Sequence, residues 1–582
     1  MAAAAPARPD GPLTHRQIIT ILVGLMMGMF LAALDQTIVA TAIRTIADDL
    51  KGLDEQAWAT TAYLITSTIV TPLYGKLSDI YGRKKFFSAA ITIFVIGSVL
   101  CTLSQSMLQL AFYRAVQGLG AGGLFSLALA IIGDIVPPRE RAKYQGYFLA
   151  VFGTSSVLGP VIGGFFAGQS SILGVDGWRW VFLVNVPIGI AALFVVSRTL
   201  HLQHTRLDHR IDWWGAATLT LGLVPLLLVA EQGRDWGWGS GRSIACYVVG
   251  IIGVIAFLLV ERAMKDEALL PLTLFQERTV AVASGASVLI GMAMFGGLAS
   301  LPLYLQIVKG ASPTKAGLLL LPLTLGIMAG SIISGQIISR TGRYRRFPII
   351  GSALLAIALF VFHFIKADTP LWQTSIVMVA FGLGLGFNFQ PLTLAVQNAV
   401  SPRLIGVATS SATFTRQIGG TLGTAVFLSI LFSTVPDKIN AAMVKAAPTK
   451  EFQGALHDPA VLSDPANAAF AKGLQSAAQG GDPGPIANVL KDSSIIEKLD
   501  ARLAKPILTG FSDSMDLVFL VGAGVMVIGF LVMLLLPHVE LRGGSAYSER
   551  GAADKADRDK ADADQADADA DAAAVAPPAI GH

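Results

Sequence analysis

The chain has 582 residues, 53% hydrophobic and 14% charged, with a formal net charge of +4. A soluble domain carries roughly 25% charged residues. This composition, with a mean hydropathy of +0.61, therefore excludes a soluble globular protein and fits an all-α membrane protein that crosses a bilayer many times. The cations are spread over short segments and form no basic face, which excludes a nucleic-acid partner.

Fourteen apolar spans are predicted in chain order. A short segment, 1–16, precedes a first six-helix bundle over 17–200, with spans at 18–42, 57–77, 86–105, 107–132, 144–168 and 180–200. A linker over 201–278 holds two more, near 213–231 and 243–261. A second bundle over 279–538 has spans near 279–304, 316–338, 347–366, 371–396, 405–432 and 514–537. Its long loop, 433–513, is rich in Ala, Asp, Lys and Gly and carries short helical stretches. The tail at 539–582 includes an Ala-Asp repeat at 561–571 that cannot bury a core and reads as disordered. The first apolar run is long and contains Asp35, so it reads as a retained helix rather than a cleaved signal. Cys101 and Cys246 fall in apolar runs and read as small buried hydrophobes without a disulfide.

Short-loop cations number about 20 on the side of the termini and about 8 on the other, which places both termini in the cytoplasm. Trp58, Trp178, Trp180, Trp213, Trp214, Trp236, Trp238 and Trp372 fall near span ends, as an aromatic belt requires. The segment 75–85, with Gly75, Asp79, Gly82 and Arg83, sits in a polar gap between two spans. A weaker copy lies at 335–345, and Gly159 and Gly163 match Gly419 and Gly423 at the same offset of about 260 residues, the signature of two like halves.

These features resemble the major facilitator superfamily. The 75–85 segment resembles its loop signature, 114–120 its fourth-helix motif, and 153–164 its antiporter motif. Segments 34–39, 178–182 with Asn185-Val186-Pro187, and 414–420 resemble the 14-helix drug:proton antiporter branch, the EmrB/QacA type. The resemblance covers about 15–432 and 514–538. It implies two six-helix halves with two inserted helices. It also implies export of amphipathic or cationic compounds from a bacterial cell across the inner membrane by alternating access. Protons would be the coupling ion, with no other cofactor. The implied partners are a small amphipathic substrate and the lipid bilayer; an envelope partner stays open. Other readings are export of an endogenous lipid, siderophore or secondary metabolite, and a non-transporting receptor or scaffold. No nucleotide loop, metal cluster or nucleophile constellation points to an enzyme.

Asp35 is the expected proton carrier. It lies ~12 Å from the outer end of its helix, and Arg114 on the fourth helix lies ~10 Å deep, so the two can pair. Arg114 favours the charged carboxylate, whereas closure and desolvation favour the protonated acid. That opposition lets conformation govern proton binding; a static ion pair is the competing reading. Gly75 permits close backbone approach and Gly82 a turn at positive φ. Asp79 suits the positive end of another helix. By the resemblance, that helix is the thirteenth, starting near Leu404, and Arg83 pairs with Asp134 to hold the outward-facing state. Ser339 replaces the acid in the second copy, which argues against a matching latch there. Gly153, Gly159, Pro160, Gly163 and Gly164 predict a bent, closely packed fifth helix, with plain packing as the competing reading.

Arg416 lies ~16 Å deep, with no acid well inside the second-half spans. A backbone carbonyl, water, a first-half group or an anionic cargo could face it. The resemblance makes the first and fourth helices of each half the cavity wall. There Met292, Met294 and Phe295 offer apolar contact, and Asn388 and Gln390 polar contact. The tenth span carries no acid, which favours monovalent or neutral amphiphiles over divalent cations.

Overall fold

The computed structural model describes residues 15–51, 56–200, 212–401, 404–478, 496 and 498–541. The Ala-Asp tail lies outside the described residues, as do 1–14, the 201–211 part of the linker and 479–495.

Fourteen long elements run in chain order among the described residues: α1 His15–Asp49, α2 Gln56–Tyr81, α3 Arg83–Thr102, α4 Met107–Ile135 and α5 Pro138–Ala167. Next come α6 Gly177–Thr199, broken at Val184, then α7 Trp213–Trp236, α8 Gly241–Met264 and α9 Arg278–Leu303. The last are α10 Leu321–Thr341, α11 Arg346–Phe362, α12 Leu371–Ala399, α13 Ile405–Ala446 and α14 Ala501–Leu534. Twelve helical segments among the described residues are long and apolar enough to cross a membrane, and the 17-residue α11 is a shorter apolar helix. α2 is as long but diluted by hydroxyls. Thr66 and Thr71 return theirs to backbone carbonyls of the preceding turn, which removes the cost of an unpaired polar group.

Local chemistry sets the ends. Ser106 accepts the Gln109 N–H at the start of α4, Asp212 caps α7 through Gly215, and Ser240 caps α8 through Ser243. Gly342 closes α10 in the left-handed region, φ 68°.

Two boundaries differ from the sequence reading. α13 continues to Ala446 and α14 begins at Ala501, so both ends of the 433–513 segment continue two antiparallel helices. Val435, Ile439 and Met443, four apart, bury one stripe against Leu503, Ile507 and Gly510. An amphipathic stripe of this kind is invisible to a search for uniformly apolar runs. Three short helices, Lys450–His457, Pro459–Leu462 and Pro465–Ala478, cap the pair. The earlier start of α14 also places Asp516 within the helix, at the edge of the predicted span, where it is buried and paired with the half-exposed Lys366.

Apolar cores form separately in α1–α6 and in α9–α14. A fourth cluster seats α7 and α8, through Leu219, Leu223 and Phe257, against Ile65 of α2 and Phe414 of α13. The halves touch where α2 and α4 meet α13, and where α5 meets α10. Of the cysteines, Cys101 is buried, whereas Cys246 is only partly so; both are free.

Candidate functional site

Asp35 sits on α1 with no exposure and Arg114 on α4 with 1%. Arg114 Nη1 donates to Asp35 Oδ2 at 2.5 Å. Two uncharged side chains complete the carboxylate's shell: Gln117 Nε2 donates to Oδ1 at 2.8 Å, and Asn185 Nδ2 from α6 donates to the same oxygen at 2.7 Å. Gln117 also accepts from Arg114 at 2.6 Å and donates to Ser98 on α3 at 2.7 Å. Four helices thus converge on one acid. A buried charge needs this density of partners, because an unpaired one costs several kcal/mol. On the inward side the Arg114 guanidinium lies 4.1 Å over the ring of Tyr63.

Beyond that ring lies a central cavity of about 230 Å³ between the two halves. Tyr63 lines it; Asp35 and Arg114 do not. Its wall is largely apolar, with Met29, Phe125 and Phe148 from one half and Met294, Phe295 and Phe389 from the other. Gln390 and Arg416 supply polar groups, and the Arg416 guanidinium stacks 3.8 Å over Phe389. Met292 and Asn388 lie outside the lining; the backbone of Met292 packs on Gly423, and the Asn388 amide donates to the Gly384 carbonyl within its own helix at 2.8 Å.

The 75–85 segment forms a tight junction with α13. The Asp79 carboxylate accepts the Val407 N–H at 2.9 Å, in the first turn of α13, where the helix end is positive. Arg83 pairs with the same carboxylate and donates to Asp134 at 2.8 Å and to Ser78 at 2.5 Å. A Cβ on Gly75 would approach the Ser410 Cβ to 2.7 Å, so only glycine fits. Gly82 adopts φ 105° between α2 and α3. Beside this junction Gln397 of α12 donates to the Leu129 carbonyl of α4 at 3.0 Å and accepts from Arg141 of α5 at 3.4 Å. Ser339, in the second copy, donates to the Gln336 carbonyl of its own helix.

α5 reaches both halves. Gly159 and Gly163 face Thr37 and Ile38 of α1, two and three residues past Asp35; a Cβ on Gly163 would meet the Ile38 carbonyl at 2.8 Å. Gly153 faces Thr324 of α10, and Pro160 faces Gly317 just before α10. Gly164 is exposed.

Gln117, Asn185 and Tyr63 were not singled out as site residues in the sequence, although Gln117 and Asn185 lie in motifs read there. An amide or a tyrosine in an apolar span carries no charge to mark it, whereas Asp35 and Arg114 do.

The family model described as Major Facilitator Superfamily matches residues 25–424. Multidrug resistance protein 3 of Bacillus subtilis is 38% identical over 424 residues, covering 72% of this chain and 81% of its own. The multidrug transporter protein MdtP of the same organism is 31% identical over 547 residues, covering 93% and 96%. Among solved structures, the proton:xylose symporter XylE bound to 6-bromo-6-deoxy-D-glucose superposes with a TM-score of 0.55 at 14% identity, over 92% of this chain and 99% of that one.

Proposed function

The chain belongs to the Major Facilitator Superfamily, and we propose that it is a drug-efflux transporter that expels amphipathic compounds in exchange for protons. The relatives named for multidrug resistance and multidrug transport support the export reading. The short-loop charge bias supports an orientation with both termini in the cytoplasm of a bacterial cell, with the 75–85 junction at the cytoplasmic end.

One observation carries the proton reading. A fully buried carboxylate is held by Arg114, Gln117 and Asn185, and that same Arg114 stacks on the Tyr63 ring, which lines the cavity. With Asp35 ionised, Arg114 is held on the α1 side of Tyr63. Protonation removes the charge that holds it there and frees the guanidinium to swing toward the cavity face of the ring. Cargo in the cavity and a proton on Asp35 then compete through Arg114 and Tyr63 rather than by direct contact.

The Asp79–Val407 and Arg83–Asp134 contacts close the cytoplasmic end. Their loss opens the cavity to the cytoplasm, and the α5–α10 contact serves the opposite end. Two-state exchange of this kind moves cargo uphill only when proton binding differs between the states.

The test is proton release on adding fluorescent amphiphiles to reconstituted protein, together with gradient-driven uptake into inverted vesicles. Asp35→Asn is expected to abolish both while leaving the protein folded. Full proton release by that variant overturns the role of Asp35.

A further inference from the structure

Arg416 is the one charged side chain among the described residues lining the cavity, and no acidic residue lines it. It is 5% exposed, and among the described residues no carboxylate pairs with it; its guanidinium stacks on Phe389. That stack covers one face of the guanidinium and leaves the five N–H donors on its edge free. On the adjoining α12, Gln390 also lines the cavity at 2% exposure, and neither its Nε2 nor its Oε1 has a partner. A buried cation and a buried amide without partners are costly in any protein and more so at membrane depth. The first half shows the contrast: there Arg114 is neutralised by Asp35.

We propose that the cargo is an amphiphile with a single anionic head, a carboxylate or a similarly acidic oxygen. The head is bound by Arg416 with Gln390 beside it, and the apolar body lies against Met294, Phe295 and the aromatic wall of the other half. Resting on the export reading, this names the class of compound exported. The guanidinium edge matches a carboxylate in two parallel hydrogen bonds, and the Gln390 amide supplies a further donor. A cationic head would bring like charge against Arg416 in a site with no counter-charge.

The experiment is equilibrium binding without any gradient, so it reads head-group preference even if the protein does not pump. Full-length protein in phosphatidylcholine nanodiscs is titrated with three fluorescent probes of one body: naphthylbutyrate, its primary amide and its trimethylammonium counterpart. Wild type is expected to bind the carboxylate about tenfold or more tightly than the ammonium probe. Arg416→Gln is expected to weaken carboxylate binding by about tenfold to 100-fold while moving the amide less than about threefold. Arg416→Lys retains part of the preference, because it keeps the charge but not the fork.

Equal affinity of wild type for all three probes overturns the proposal, as does an equal loss for all three in Arg416→Gln. If Arg416→Gln is not monodisperse, the wild-type ranking and Arg416→Lys decide. Displacement of naphthylbutyrate by added phosphatidylglycerol in wild type assigns the anion to a lipid headgroup. Absence of displacement assigns it to a free amphiphile; in both cases the anion sits at Arg416.

Discussion

Gly159 of α5 and Thr37 of α1 meet with no room for a methyl group between them. A Cβ on Gly159 would lie 2.5 Å from the Thr37 Cβ, and Thr37 Oγ1 already donates to the Ser155 carbonyl at 3.0 Å. This contact falls two residues past Asp35 and ties the register of the acid's helix to that of α5. Gly159→Ala is therefore expected to cost about 1–3 kcal/mol through overpacking and to lower export. Gly164→Ala, at an exposed position of the same helix, is expected to leave both unchanged. Thermal melts and transport on the two variants check this; equal behaviour would show that the packing is incidental.

Gln117 and Asn185 each place a hydrogen bond on the charged form of Asp35. Removing either donor, as Gln117→Leu or Asn185→Leu, takes one hydrogen bond from the buried carboxylate. Cargo-driven proton release should fall about tenfold in either variant, since a hydrogen bond to a charged group is worth about 1.5–3 kcal/mol. Release that matches wild type in both variants removes these amides from the proton site.

Tyr63 stacks on Arg114 and lines the cavity, so its ring lies between the guanidinium and the cavity. Tyr63→Ala is expected to admit water to the pair and to collapse an imposed pH gradient in proteoliposomes several-fold faster without cargo. Tyr63→Phe keeps the ring and should leak no more than wild type. Leak rates that do not separate the two substitutions would place the barrier elsewhere.

Asp79 joins the halves through a backbone N–H at the start of α13. Asp79→Asn removes the charge that suits that helix end and leaves Arg83 paired with one carboxylate, Asp134. The junction should then open more often. Alkylation of Ser411→Cys, a position 1% exposed, reports it in a background with Cys101 and Cys246 replaced by Ala. A membrane-impermeant maleimide should label it several-fold faster in inverted vesicles when Asp79→Asn is present. Unchanged labelling would mean that the contact does not hold the cytoplasmic end shut.

The charged parts of this site were legible in the sequence. Asp35 and Arg114 stand out against apolar spans, and their matched depths allowed the pairing that the structure shows at 2.5 Å. The 75–85 segment resembled a known loop closely enough that its partners at the start of α13 and at Asp134 could be named. What escaped was uncharged or long-range. Gln397 reaches the Leu129 carbonyl on another helix, a pairing that no periodicity encodes. The outer extension of α13 escaped because its apolar stripe, Val435, Ile439 and Met443, is only one face wide. Met292 and Met294 looked equivalent as adaptable contacts, yet helix rotation turns Met294 to the cavity and leaves Met292 outside it.

The ring of Tyr63 divides labour as well as space. The aromatic cavity wall of Phe295, Phe389 and Phe125 shares no side chain with the cluster that holds the carboxylate. If export runs as proposed, a bacterium meeting an unfamiliar toxin can remodel that wall by single substitutions and keep its engine intact. On that reading, breadth of resistance can evolve without retuning how the work is powered.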